Sequence, residues 1–75
     1  MTLADGKIGA TYCVDRIDLP LKIKRRLEML GMTWNSGVSV LNMKKNGAMI
    51  IKVRGTRFAI GRRLAEGIYI GGDGR

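Results

Sequence analysis

Asn46-Gly47, between the run Val38 to Met43 and the run Ala48 to Val53, restricts this chain more than any other feature. An Asn-Gly pair joining two β-prone runs is a strong hairpin signal, because both central positions of a type I′ turn need positive φ. Strict alternation in the returning strand puts Met49, Ile51 and Val53 on one face, toward an interior, and Ile50, Lys52 and Arg54 on the other. Hydrophobic residues make up 45% of the sequence but aromatic ones only 5%. That interior must therefore be filled by Val, Ile, Leu and Met. With 75 residues, the chain is expected to form a single domain over 1–75, too small for separate cofactor and substrate domains and stabilised by one core.

The flanking segments supply the rest of a small β structure. Gly6 and Gly9 bracket a turn, and Thr11 to Val14, leading on to Ile17, form a short first strand. Pro20 suits the first turn of a helix, where its missing N–H costs nothing, and Asp18 stands where a cap would sit. Ile23, Leu27 and Leu30 recur at spacings of four and three, so one helical face is apolar, with Lys22, Lys24, Arg25 and Arg26 to its sides and back. Gly31 ends the helix in the left-handed conformation. After the hairpin, Gly55-Thr56 permits a tight turn into a strand from Arg57 to Ile60, with Phe58 and Ile60 inward. Arg62 to Glu66 is one helical turn, and Ile68 to Ile70 is the last strand.

Five short strands with Gly at the corners favour closure over a sandwich, since closure removes most unpaired edges. The expected fold is mainly β: a small SH3-like, five-stranded, partly open barrel, with a three-turn helix after the first strand and a short helical turn before the last. Val14, Ile17, Ile23, Leu27, Leu30, Val40, Ile51, Val53, Ile60 and Ile68 are its expected core. Met29, Met32, Met43 and Met49 read as core filling, with Met32, just before Trp34, the first candidate for an exception, and residues 71–75 form a flexible tail without an apolar anchor.

Chemistry is restricted as sharply. The sequence has no His, which removes the usual general base and the commonest transition-metal ligand. No nucleophile–base pair takes its place, so an enzyme is not expected. Cys13, the single cysteine, reads as a small core or edge residue on a strand. Asp15, Asp18 and Glu66 would make an oxygen-ligand cluster only if the fold brought Glu66 to the other two, for which the sequence gives no reason. Neither a metal site nor a cofactor is expected. With no signal-peptide pattern, and with Ala48 to Ile51 as the longest apolar run, the chain is expected in the cytoplasm, without membrane insertion.

Net charge is +8, and between residues 22 and 63 eleven Lys and Arg face Glu28 alone. Such a segment suits an anionic partner: nucleic acid, a phospholipid surface or an acidic protein face; a merely solvated surface is the other reading. Lys24, Arg25 and Arg26 splay over a wide helical arc, which fits a broad anionic protein surface better than one phosphate. Lys44-Lys45 at the hairpin tip and Arg62-Arg63 could form a phosphate-binding patch, but neither follows a glycine-rich strand-to-helix loop. Single-strand nucleic-acid binders carry several stacking aromatics on their sheet. Here Trp34, Phe58, Tyr12 and Tyr69 are few and mostly assigned inward or to corners, so nucleic acid is the less favoured partner.

Arg25-Arg26-Leu27-Glu28-Met29-Leu30-Gly31-Met32-Thr33, followed by Val38 and Val40, resembles the helix-Leu-Gly-Met/Leu-Thr-Pro-Gly-x-x-Val segment of FeoA-type proteins of bacterial ferrous iron uptake. Thr2 to Asp5 through Gly9, with Val14 to Ile17, resembles their first strand. Gly55-x-x-Phe58-Ala59-Ile60 with Ala65, Ile68 and Ile70 resembles their closing segment, so the resemblance spans nearly the whole chain. The chain departs from the pattern where Trp34-Asn35 replaces Pro-Gly, and where Ile8 replaces the usual Pro before Gly9. Asn tolerates left-handed φ, so Asn35 is expected to do the backbone work of that Gly. Trp34 is expected to cover the barrel end; exposure as a partner anchor is the other role open to it.

The resemblance implies a small cytosolic SH3-like accessory protein that docks on and regulates a FeoB-type membrane iron transporter with a cytosolic GTPase domain. The same fold is appended to iron- and manganese-sensing transcription repressors. A detached domain of such a repressor is therefore an alternative, beside a nucleic-acid-binding barrel. On the transporter reading, the partner-binding residues are Lys24, Arg25, Lys44 and Lys45 as steering cations and Met32 or Trp34 as the apolar contact.

Overall fold

The structure is a computed structural model in which residues 1–71 are described. Alternation builds the central hairpin as the sequence predicts. β2 (Gly37–Met43) and β3 (Met49–Val53) run antiparallel, with Val38 opposite Val53 and Val40 opposite Ile51. Val38, Val40, Met49, Ile51 and Val53 are all fully buried.

The connecting turn is not of the expected type. Gly47 has φ 91°, but Asn46 is not in the left-handed region. Its Oδ1 instead accepts the Ala48 N–H at 3.0 Å, and the Gly47 N–H donates to the Lys44 carbonyl at 3.0 Å. Lys44 also donates its N–H to the Ala48 carbonyl at 2.7 Å, so three residues make the loop and one left-handed glycine closes it. The two-residue turn with positive φ at both positions comes one hairpin later, at Arg54 (50°) and Gly55 (82°). It joins β3 to β4 (Thr56–Ile60), with Val53 opposite Thr56.

β1 (Thr11–Ile17) pairs with β2 through Thr11 to Cys13 and with β5 (Ile68–Gly71) through Cys13 to Ile17. The antiparallel sheet order is β4-β3-β2-β1-β5. Simple alternation cannot turn both Val14 and Ile17 inward. The register shift between Val14 and Arg16 supplies Asp15 as an extra residue, and both Val14 and Ile17 are buried. A second shift leaves Leu41 extra between the Val40–Ile51 and Asn42–Ile50 pairs, and Leu41 is exposed. The strands so bent form the SH3-like fold. Gly71, expected in the tail, is the last residue of β5 and lies opposite Cys13; residues 72–75 of that expected tail lie outside the described residues.

Two local elements set the ends of the sheet. Thr2 to Asp5 is not strand: Leu3–Asp5 is a 3-10 turn, and the Thr2 N–H donates to Asp5 Oδ2 at 3.2 Å. The turn buries Leu3 completely, while Met1 and Thr2 pair with Ile70 and Tyr69 along the outer edge of β5. α2 (Arg62–Glu66) has the bounds the sequence predicts.

α1 (Leu21–Met29) has nine residues, somewhat shorter than three turns, with Pro20 as its cap residue and no side-chain cap from Asp18. The Asp18 N–H instead donates to the Gly67 carbonyl at 2.7 Å. The helix ends in a Schellman closure: Gly31 has φ 104°, its N–H donates to Glu28 at 3.0 Å, and the Met32 N–H donates to Leu27 at 3.0 Å. In this closure the residue after the glycine folds back onto the helix end, and both Met32 and Leu27 are buried. With Met32 filling the core there, Leu30 stays at the rim, 38% exposed, and Ile23 is only half-buried. Met29 and Met43, expected as core filling, are also exposed, the first on the outer helix face and the second at the open end of β2.

Ile51→Ala should therefore cost about 2–5 kcal/mol in urea denaturation, and Leu30→Ala less than about 1 kcal/mol. Equal losses at the two positions would contradict this assignment of the core.

Candidate functional site

Trp34 sits in the four-residue turn Thr33–Ser36, directly after the helix closure. The turn is held by three bonds: Ser36 donates its N–H to the Thr33 carbonyl (3.0 Å) and its Oγ to the same oxygen (2.7 Å), while Ser36 Oγ accepts the Thr33 N–H (3.1 Å). Asn35 adopts φ 65°, the left-handed role expected of it, which suits the second central position of a type II turn. Two further bonds stitch the turn to β1: Asn35 N–H to the Val14 carbonyl (2.7 Å) and Val14 N–H to the Ser36 carbonyl (2.9 Å).

On this fixed backbone the Trp34 side chain is 75% exposed. The expectation that it covers the barrel end is therefore corrected. Met32 is corrected in the opposite sense: it is fully buried, so it offers a partner no surface. The signal for this was legible, since a glycine at the first position past a helix predicts that the next residue packs inward.

Trp34 borders a cleft of about 150 Å³ whose charged lining is Asp15, Arg16, Lys24 and Glu28. Both signs of charge meet there, and Arg16 stacks over the Tyr69 ring at 4.0 Å. Glu66 pairs with Arg62 at 3.3 Å on the surface of α2, although Asp18 is tied through its backbone to the neighbouring Gly67. Among the described residues no three Asp, Glu or Cys side chains gather where they could hold a metal ion. Cys13 is half-buried in β1 opposite Gly37 and Gly71.

The expected cationic contacts separate into two groups. Lys24 and Arg25 lie on α1 with Lys22 and Arg26, and the Arg54 side chain packs against Gly31 at the same end. Lys44 and Lys45 lie at the other end of β2, a strand spanning roughly 20 Å, where the Arg62 side chain packs against Gly47. Lys24, Arg25 and Trp34 thus share one end of the fold, and Lys44-Lys45 does not join them.

A family model for the FeoA domain matches residues 1–71. This chain belongs to the FeoA family. A Fe(2+) transport protein A of Methanocaldococcus jannaschii is 35% identical over 68 residues, 91% of this chain and 82% of that protein. The solution structure of FeoA from Chlorobium tepidum matches with a TM-score of 0.88 at 27% identity, over 93% of this chain and 68% of that one. FeoA from Stenotrophomonas maltophilia, a prokaryotic SH3-domain protein solved with zinc, matches with a TM-score of 0.82 at 26% identity, over 95% of this chain and 89% of that one. A manganese-dependent transcriptional repressor shares the fold alone, at 22% identity and a TM-score of 0.82, over 93% of this chain and 40% of its own. As a FeoA family member, the chain is involved in ferrous iron transport. No helix among its described residues is long and apolar enough to cross a membrane.

Trp34 is the sole tryptophan of this FeoA protein, so its emission reports the site directly. The spectrum should lie near that of indole in water and be readily quenched by acrylamide, and Trp34→Ala should change unfolding free energy by less than about 0.5 kcal/mol. A blue-shifted, quencher-protected emission would show the ring packed against the fold.

Proposed function

We propose that this FeoA protein docks in the cytoplasm on a FeoB-type membrane iron transporter, at its cytosolic GTPase face, and regulates it. Trp34 is the anchor, with Lys24 in the same cleft and Arg25 on the outer side of α1 as steering charges that act at longer range. The observation that carries this reading is an exposed tryptophan on a backbone fixed by five hydrogen bonds. Tryptophan is among the residues most enriched at binding hot spots, and a site already rigid before binding loses little conformational entropy on association. Iron is the transporter's cargo on this reading, and the chain's part is the contact.

The two kinds of residue act on different steps. Exposed cations raise the encounter rate with an acidic face and make it salt-dependent, whereas a desolvated aromatic anchor slows release. Lys44 and Lys45, at the other end of the fold, add to the general field and not to the held contact. Charge reversal at Lys24 and Arg25 should slow association with the transporter's soluble GTPase domain severalfold and flatten its salt response, while Trp34→Ala should mainly hasten dissociation. Surface plasmon resonance over a salt series separates the two effects. Tight binding to single-stranded oligonucleotides, with none to the GTPase domain, would falsify the transporter reading in favour of a nucleic-acid-binding barrel.

A further inference from the structure

α1 carries a second surface, distinct from the Trp34 cleft. Leu21, Arg25 and Met29 follow one another at spacings of four along the helix, and Lys22, Arg26 and Leu30 form the adjacent row. These six residues line one open groove. Met29 is 87% exposed and Leu21 60%, large values for apolar side chains on a helix whose one buried residue is Leu27. Glu28, the only acid of the helix, points away from this groove into the cleft beside Trp34. Among the described residues, Lys22, Arg25 and Arg26 have no carboxylate within 4.0 Å.

From this we infer that the outer face of α1 is a contact for an anionic phospholipid surface. A protein-binding hot spot would be expected to offer a rigid aromatic anchor and paired polar groups, and this face has neither. It has flexible Leu and Met side chains set between cations, the pattern of a helix lying in a membrane interface: the apolar groups enter the headgroup boundary while Lys and Arg reach the phosphates. Three apolar side chains are too little to hold an uncharged bilayer, so anionic lipid is required. Each Lys or Arg close to such a surface raises partition by about fivefold. Lys22, Arg25 and Arg26 together make the attraction substantial. In this orientation Trp34 remains free for a protein partner.

The test is co-sedimentation of the full chain with vesicles of phosphatidylcholine alone and of phosphatidylcholine mixed with phosphatidylglycerol, at low and physiological salt. Binding is expected only to the mixed vesicles, weakening as salt rises. Lys22→Glu with Arg26→Glu should lower the partition coefficient at least about tenfold, and Met29→Ser roughly fivefold. All three positions are at the surface, and circular dichroism confirms that the variants fold. Failure to bind mixed vesicles at low salt, equal binding to neutral vesicles, or indifference to both sets of substitutions would each overturn the inference. So would variants that lose the soluble GTPase domain while vesicle binding is unchanged, which would make this face a protein contact. Because the docking reading is tested without lipid and this one without the transporter, either can fail alone.

Discussion

The whole arrangement depends on closing a core whose fully buried members are all aliphatic. Leu3, Val14, Met32, Val38, Val40, Met49, Ile51, Val53, Ala65 and Ile68 come from the 3-10 turn, the chain just past α1, α2 and four strands, and among the described residues no aromatic ring is fully buried at the centre to span a gap. Small branched side chains fill an interior only when the strands that carry them approach closely, so the sheet must bend. Asp15 and Leu41 provide the bends, each an extra residue in a ladder that would otherwise run flat. The bulge at Asp15 also lets β1 serve two neighbours, β2 through its first half and β5 through its second. Without that sharing, β5 would have no partner in the sheet.

The site grows from the same closure. Gly31 takes a backbone conformation that side chains rarely adopt, and its carbonyl-satisfying bonds fold Met32 under the end of α1. Once Met32 occupies that space, the chain must turn at once to reach β2, and Asn35 makes the turn by entering the left-handed region. Trp34 is the residue between these two events and has nowhere inward to go. Its exposure is a consequence of glycine and asparagine chemistry on either side of it.

This explains how much could be read in the sequence. Alternation located Met49, Ile51 and Val53 in the core, and the Asn-Gly pair located the hairpin, because both are local and periodic. The strands, α2 and the SH3-like architecture followed from them and from the other glycines. Turn type did not follow, since Asn46 keeps out of the left-handed region by using its side chain as an acceptor for Ala48, an arrangement set by loop length. Bulges leave no period to detect: Val14 and Ile17 were both expected inward, but only the register shift at Asp15 makes that compatible with a strand. The Ile23–Leu27–Leu30 stripe predicts burial one residue too far, because periodicity does not register that Gly31 sends Met32 into the space Leu30 would fill. The same closure settles Met32 as core rather than partner contact and leaves Trp34 outside the barrel end.

Charge was legible in amount but not in arrangement, and the arrangement decides its range of action. At physiological ionic strength exposed charges are screened over about 8 Å, whereas β2 alone separates the Lys44-Lys45 tip from the Trp34 end by roughly 20 Å. The two basic ends therefore cannot act as one electrode toward a partner seated at either. Within the α1 end the division is finer. Lys24 shares its cleft with Glu28, Asp15 and Trp34, a mixed environment, while Lys22, Arg25 and Arg26 face outward among apolar side chains with no carboxylate of the described residues within 4.0 Å. A nine-residue helix held to the fold chiefly by Leu27 can expose both sides at once. The narrow anchoring that looks like poor packing is what leaves α1 two separate surfaces.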